Sequence, residues 1–340
     1  RKHSPSMATH SHRKIPTTIR LLAQSDRDDM IRLFEKTFGY PMGRTESIEH
    51  WAWEYENGPD GPALVFVCEA DGKVVGAHGN LPLRFKVGEQ ELIASSSFDS
   101  MVDSDYRGLG AFSRVVRAFQ ESAYQHGICL SYNFPNENSY PIHINRLGRT
   151  SIEGYVVLRR PIRKRSLLRR KGIPLLAWMF KTLAQARLRG AKLVRAAAFD
   201  ARFDALWEAA KDQVQVGIVR DSQYLNWRFA QKPETEHTTY VYQEKGTIGG
   251  YVVLRKQEDE RNAAGLVLDL LALPNREDIV QALFAQAFLH FIRHQAGQVR
   301  FGAMEQGSYV QAVRHLFFYR TERPLCGQAY GDVDPAFALD

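Results

Sequence analysis

Residues 103–116 read "DSDYRGLGAFSRVV". Arg107 precedes two glycines, Gly108 and Gly110, and an acidic, strand-ending run stands before them. Behind them, Phe112, Val115, Val116 and Phe119 recur at i, i+3, i+4 and i+7, the stripe of a helix facing a core. The stretch therefore reads as a strand delivered into a helix through a glycine turn. Glycine lets the backbone take left-handed dihedrals and come close to a ligand. The first N–H groups of a helix are unpaired and lie at the positive end of its dipole, so they suit a phosphate. Arg107 adds a charge. The stretch lacks the G-x-x-x-x-G-K-[ST] of a P-loop and the full G-x-G-x-x-G of dinucleotide binders. Taken alone, it is equally compatible with a tight strand-to-helix turn.

The neighbouring sequence supplies the rest of an α/β unit. "TTIRLLAQSDRDDMIRLFEKTF" (17–38) reads as a strand and then a helix, with Ser25 as N-cap and Asp26 and Asp28 in the first turn, where the dipole favours acids. Turns at 70–73 and 87–89 separate three β-rich runs, about 63–69, 73–86 and 90–102, an antiparallel meander. The helix after "RGLG" stops at Gly127. "ICLSYNF" (128–134) is a strand, "PNENSYPIHINRLG" (135–148) a short helix or turn, and "IEGYVVLRRPI" (152–162) a strand. Strand, helix and strand over 95–133 imply a parallel pair joined by a right-handed crossover. The last third repeats the order. A hairpin turns at 244–246, "GLVLDLLAL" (265–273) is a strand, 275–294 a helix, "QVRFGAM" (298–304) a strand and 308–318 a helix. "YLNWRF" (224–229) opens this second copy, with Trp227 and Arg228 read as an inter-domain packing pair.

Hydrophobic content of 44% with 24% charged residues describes a folded globular chain. Its longest apolar stretches are like "GIPLLAWMF" (172–180), well short of the ~20 residues that span a bilayer. No secretory signal pattern is read. Cys68, Cys129 and Cys326 are odd in number and far apart, which argues for a reducing compartment and against a disulfide framework or thiolate metal site. The expectation is a cytoplasmic protein of bacterial type. Met7 reads as the native start, with "RKHSPS" an addition before it and a flexible tail over 1–17. Net charge is +7, yet residues 159–195 hold 13 Lys and Arg and no acid, which leaves −6 for the rest. Leu175, Leu176, Met179, Phe180 and Leu183 are interleaved with these charges, roughly on one helical face. The segment reads as a linker helix packed between domains, or as a docking site for an acidic partner, an acyl-carrier protein or an anionic membrane surface. It holds no module that reads nucleic acid. The expected organisation is a first domain at 18–160, a basic helical linker at 161–215 and a second domain at 216–332.

"DSMVDSDYRGLGAFSRVVRAF" (99–119) resembles the central motif of the GNAT superfamily of N-acetyltransferases. There an apolar strand end and two or three polar residues lead to R/Q-x-x-G-x-G/A at a helix start. Arg107, Gly108, Leu109, Gly110, Ala111 and Phe112 match it, Phe112 standing where Gly or Ala is usual, as in some two-domain groups. The resemblance covers about 18–160 and implies two tandem GNAT-like domains in an α/β fold. Each would be a mixed, mostly antiparallel sheet flanked by helices. It implies that Arg107 and the backbone of Gly108, Leu109, Gly110 and Ala111 hold the pyrophosphate of coenzyme A. The strand end at Met101 and Val102 would pair with the pantetheine arm. Asn136 and Gly148 match the family's downstream helix, whereas its usual tyrosine falls on Ile144. The second copy has "LALPNRED" (271–278) at the corresponding turn, without glycine, so it resembles a degenerate copy without coenzyme.

The implied reaction takes an acyl group from acetyl-CoA, or another acyl-CoA, to an amine of a small polar molecule or amino sugar, without a metal. A lysine-like amine with pKa ~10.4 is about one part in a thousand neutral at pH 7, so a base is needed. Asp99 matches the strand position where many GNATs carry a glutamate base. It is read on one face with Met101 and Ser97, or else as a strand-edge aspartate bonded to a turn. Tyr140 and His143 are candidate acids or polar-tipped packing residues, and Asn136 orients the site or caps a helix. In "ESIEHWAWEYENGPDG" (46–61), Glu46, Trp51, Trp53 and Tyr55 are candidates to line an acceptor pocket. The aromatics read equally as core and Glu46 as a solvated carboxylate. His290 and His294 at i, i+4 lack a third metal ligand and read as surface residues. Two rival functions remain open: a long-chain N-acyltransferase using acyl-CoA or acyl-carrier protein, and a non-catalytic CoA-binding sensor.

Overall fold

A computed structural model gives the structure of the chain and describes residues 16–39, 48–162, 172–188, 190–258, 263–317 and 319–331. Glu46 and the tail over 1–15 lie outside the described residues. β1 (Thr18–Leu21) leads through a 3-10 turn into α1 (Arg27–Phe38). Ser25 does not cap this helix, because it lies inside the turn. The Asp26 carboxylate instead accepts the N–H of Ala23 at 2.7 Å and pairs with Arg20 at 2.6 Å. α2 (Ile48–Trp51) runs into a π-helical turn over Ala52–Glu56. The meander follows as β2 (Leu64–Ala70), β3 (Lys73–Val87) and β4 (Gln90–Val102). Then come α3 (Ala111–Ser122), β5 (Leu130–Asn133), α4 (Tyr140–Asn145) and β6 (Thr150–Ile152).

β7 (Tyr155–Pro161), α5 (Gly172–Leu188), β8 (Lys192–Ala196), α6 (Ala201–Ala210), β9 (Val216–Ile218) and α7 (Ser222–Leu225) come next, α7 running into a second π-helical turn over Asn226–Ala230. The second copy is β10 (Thr238–Glu244), β11 (Thr247–Gln257), β12 (Ala264–Ala272), α8 (Glu277–Arg293), β13 (Gln298–Met304), α9 (Ser308–Val313), β14 (Tyr319–Glu322) and β15 (Leu325–Ala329).

The strands form two mixed sheets, in the orders β1-β2-β3-β4-β5-β15-β6, with β9 on β3, and β14-β7-β13-β12-β11-β10-β8. Only β4–β5 and β12–β13 pair in parallel among these strands. The expected class therefore holds, two GNAT-like α/β units with mostly antiparallel sheets. The units exchange their last strands. β7 leaves the first copy to lie between β13 and β14, and β15 leaves the second to lie between β5 and β6. The expected boundary at residue 160 falls inside β7. The expected helical linker holds α5 and α6 but also β8, the edge strand of the second sheet. Exchange is favoured because Val156 and Leu158 of β7 bury their side chains in the second core.

A shared core reinforces the exchange. Leu81, Leu83 and Phe85 of β3 meet Phe203, Leu206 and Trp207 of α6 and Tyr251 of β11 in one apolar cluster. The two π-helical turns clasp across it. Trp53 and Trp227 stack with centroids 4.9 Å apart and planes at 14°. Each indole N–H donates to the other residue's carbonyl, Trp53 to Trp227 at 2.7 Å and Trp227 to Trp53 at 3.1 Å. Trp227 thus packs between the halves as expected, whereas its neighbour Arg228 is exposed. His294 is exposed, but His290 is buried, contrary to the surface reading, because α8 is covered on nearly all sides. Its Nδ1 lies 3.3 Å from the Tyr240 hydroxyl, and burial lowers its pKa to about 4.

Candidate donor turn and buried carboxylate

The "RGLG" turn is open. Gly108 and Gly110 both have left-handed backbones, φ 81° and 78°, and a Cβ at either would meet nothing within 4 Å. Gly110 is the N-cap residue of α3, no side chain caps that helix, and its first turn holds no acid. The first N–H groups of a 12-residue helix, left without a side-chain cap, and the positive end of its dipole thus lie near the exposed Arg107 in sequence. The turn is anchored from behind. The Asp103 carboxylate accepts the N–H of Asp105 at 3.0 Å and pairs with Lys36 of α1 at 2.6 Å. Burial works against that carboxylate, but Lys36, the Asp105 N–H and Arg32 hold its pKa below the usual range.

Next to the turn, the sheet opens. β4 pairs with β3 along its length, but with β5 only from Ala94–Ser96 to Leu130–Tyr132. Beyond Ser96 no strand among the described residues covers that edge of β4. A bulge sets the geometry of the free segment. His78 of β3 stands opposite two residues of β4, Asp99 and Ser100. The bulge puts Asp99 on the face of Met101 and away from Ser97, correcting the expected shared face. The Ser97 hydroxyl bonds Asn80 at 3.1 Å on the side that α3 covers. Asp99 has φ 39°, a left-handed backbone that costs a non-glycine residue of the order of 1–3 kcal/mol.

Asp99 is enclosed by side chains yet keeps partial contact with solvent. The Tyr55 hydroxyl donates to its Oδ2 at 2.6 Å. Burial pushes the carboxyl up to about 7, the negative charge of Glu54 adds to this, and the Tyr55 bond and His50 oppose it. Trp51 and Trp53 do not form an open pocket wall. Both are buried, Trp51 stacked on Tyr55 at 4.1 Å and Trp53 on Trp227. The open aromatics are elsewhere. Phe134 is 49% exposed and lies 4.8 Å from Tyr155, which the exchanged strand β7 carries in from the second sheet.

Under α3 lies a buried polar cluster. Arg149 donates to Asn133 Oδ1 at 2.8 Å and to the Ser131 hydroxyl at 2.9 Å. Because the guanidinium claims Asn133 Oδ1, the Asn133 NH₂ faces His143 Nε2 at 3.1 Å. That nitrogen must accept, so a neutral His143 carries its proton on Nδ1, a buried atom without a hydrogen-bond partner. Burial first, and Arg149 second, lower the His143 pKa to about 4 and keep the ring neutral. Phe112, the residue that departs from the family motif, packs edge-on against this ring at 5.6 Å. Tyr140 points elsewhere, its hydroxyl donating to Ser151 of β6 at 2.8 Å. Asn136 does not cap α4, whose N-cap is Ser139; its Oδ1 closes the turn before the helix, accepting the N–H groups of Asn138 and Ser139 at 3.0 and 2.9 Å.

A family model for the acetyltransferase (GNAT) domain matches residues 18–145, the segment that holds the open turn, the bulge and β5. Residues 18–145 carry a GNAT acetyltransferase domain. Solved structures extend the likeness over the chain. A GCN5-related N-acetyltransferase from Anabaena variabilis superposes with TM-score 0.64 at 16% identity, over 92% of this chain and 73% of that one. One from Kribbella flavida gives 0.63 at 16%, over 93% and 71%. An Enterococcus faecalis protein of unknown function, described as a probable N-acyltransferase, gives 0.62 at 12%, over 92% and 72%. At such identities the likeness is one of fold. No curated protein matches the sequence significantly.

Within the GNAT domain, the structure brings Asp99 together with Tyr55 and His143 with Asn133, but it joins neither Tyr140 nor Asn136 to them by a bond. Sequence reading missed His78, Asn133 and Arg149. Lone polar residues inside "VVGAHGN" and "LSYN" were the available signal, since a strand buries such groups only with partners. No described helix is long and apolar enough to cross a membrane.

Proposed function

We propose that the chain is an acyl-CoA-dependent N-acyltransferase that moves an acetyl group to the amine of a small polar molecule. The observation that carries this reading is Asp99, a partly accessible carboxylate with a pKa near 7 beside the free edge of β4 and the open α3 turn. Gly108, Gly110 and Ala111, with Arg107, would hold the donor's pyrophosphate. The uncovered edge at Met101 and Val102 would pair with its pantetheine arm. An ammonium acceptor must lose a proton before it can attack. A carboxylate with a raised pKa is a better match to that proton than an ordinary aspartate, directly or through one water. The amine nitrogen then bonds to the thioester carbonyl carbon, and collapse of the adduct breaks the carbon–sulfur bond. Backbone N–H groups on the free edge of β4 would stabilise the oxyanion. The coenzyme A thiolate is the leaving group; His143, 2% exposed with Nδ1 buried, would act by holding the flanking helix against Phe112. Phe134 and Tyr155 would form the acceptor's outer wall.

Calorimetric titration with acetyl-CoA, palmitoyl-CoA and free CoA tests the donor, with Gly110→Asp as control. Micromolar binding that the variant loses supports a pyrophosphate at the turn, and the preferred chain length separates acetyl from long-chain transfer. No binding of any CoA species would sink the reading. Turnover that survives Asp99→Asn would remove the base.

A further inference from the structure

α5 is apolar on both of its faces. Inward, Phe180 and Ala184 are buried, with Phe180 stacked on Phe288 of α8 at 4.5 Å and 5°. Leu176, Leu183 and Leu188 pack on the same core. Outward, Leu175 and Trp178 are each 63% exposed and Met179 is 43% exposed. These three lie at i, i+3 and i+4 and so share one side of the helix. Thr182 and Ala186, also exposed, extend that strip by two turns. A helix packed by one face normally turns charged or polar groups to water. This one offers an indole, an isobutyl and a thioether group. Trp51, Trp53, Trp207 and Trp227 are all buried, so Trp178 is the one markedly exposed indole among the five tryptophans.

The sequence that carries the strip has charge of one sign. Residues 159–195 hold 13 Lys and Arg and no acid, in a chain otherwise net negative. Lys181 flanks the strip, and Lys192 and Arg195 are exposed on β8 beyond the end of the helix. An apolar centre with cations at its rim is the layout of a helix lying in a membrane interface. An acidic protein such as a carrier would instead need cations in the middle of the contact face, where Leu175, Trp178 and Met179 stand. We propose that α5 docks flat on an anionic phospholipid surface. Leu175, Trp178 and Met179 enter the headgroup–acyl boundary, and Lys181, Lys192 and Arg195 meet the lipid phosphates. At 17 residues the helix is about 25 Å long and lies in the plane of the surface.

The test is flotation of the full chain with phosphatidylglycerol-containing vesicles against pure phosphatidylcholine vesicles, with tryptophan emission read in parallel. The expected result is binding to the anionic vesicles only, weakened by salt, with a blue shift of emission from Trp178. Leu175→Gln with Trp178→Ser should lower partitioning by about tenfold or more at unchanged Tm. Should that variant fold poorly, quenching of wild-type emission by lipid-borne nitroxides reports the same insertion. Absence of binding to anionic vesicles at low salt would overturn the proposal. So would equal flotation of a folded double variant. Capture by an acyl-carrier protein, or dimerisation lost in the variant, with vesicles ignored, would reassign the face to a protein partner.

Discussion

The two halves carry the same strand-to-helix junction, and the second is filled wherever the first is open. Asp99 lies three residues before Val102 at the end of β4, and Asp269 three before Ala272 at the end of β12. Both strands bulge there against their antiparallel neighbours. Each aspartate accepts from a tyrosine hydroxyl, Tyr55 at 2.6 Å and Tyr251 at 2.7 Å. Among the described residues no lysine or arginine bonds Asp99, but Asp269 is also bonded by Arg220 at 3.0 Å. The edge near Val102 is uncovered by any described strand, whereas the Tyr309 hydroxyl takes the N–H of Ala272 at 3.0 Å and Gln213 donates to its carbonyl at 2.8 Å. α3 starts from a left-handed glycine with no acid in its first turn. α8 starts with Glu277 and Asp278, and Arg276 reaches across to Asp278 at 2.8 Å. One bulged scaffold thus supports either a carboxylate held up near pKa 7 or a structural ion pair. The neighbouring charges decide which.

The largest effect should come from swapping roles at the aspartates. Asp99→Asn should cut turnover by about 10²–10⁴-fold with CoA affinity retained, whereas Asp269→Asn should leave turnover near wild type. A steady-state comparison showing equal losses would erase the distinction between the halves. In the wild type, log kcat/KM should rise with pH and level off above about 7, as Asp99 ionises. That limb should vanish in Asp99→Asn. Next in size is Trp227→Ala, which removes half of the inter-domain stack and should cost about 3–5 kcal/mol in chemical denaturation. If each half unfolds separately in wild type, the shared core is not what holds them.

Asp269→Asn leaves Arg220 without its charged partner and should cost about 1.5–3 kcal/mol. Asp99→Asn should act in the opposite direction at alkaline pH. Between about pH 4 and 7 the folded state holds a proton on Asp99 that the unfolded chain has released, so stability falls as pH rises through that window. Above it, the variant should melt higher by roughly 2–4 °C. A lower Tm at pH 8 would show that the buried charge is well compensated. The smallest effect should be that of Tyr55→Phe. Losing a donor to the carboxylate moves the kinetic limb to higher pH and lowers neutral-pH turnover severalfold at most. An unmoved limb would detach Tyr55 from the chemistry.

Much of this was legible in the residues. The meander, the helical stripe and the turn of Gly108 and Gly110 follow from local periodicity and from backbone dihedrals that favour glycine. The second copy's order of elements and its missing glycines were equally local. What chain order alone could not decide were pairings between distant segments. β7 and β15 read as strands, but which sheet each joins depends on where Val156 and Leu158 find apolar cover. Trp53 and Trp227 are 174 positions apart, so neither turn announces its partner. Asp99 was visible as a carboxylate at the strand position to which the family resemblance points. Its pKa near 7 is a tertiary property, because enclosure and the charge of Glu54 exist only once the chain has folded. Trp51 and Trp53 show the reverse case. Composition marked them as able to bind a ligand, and packing committed their rings to the core.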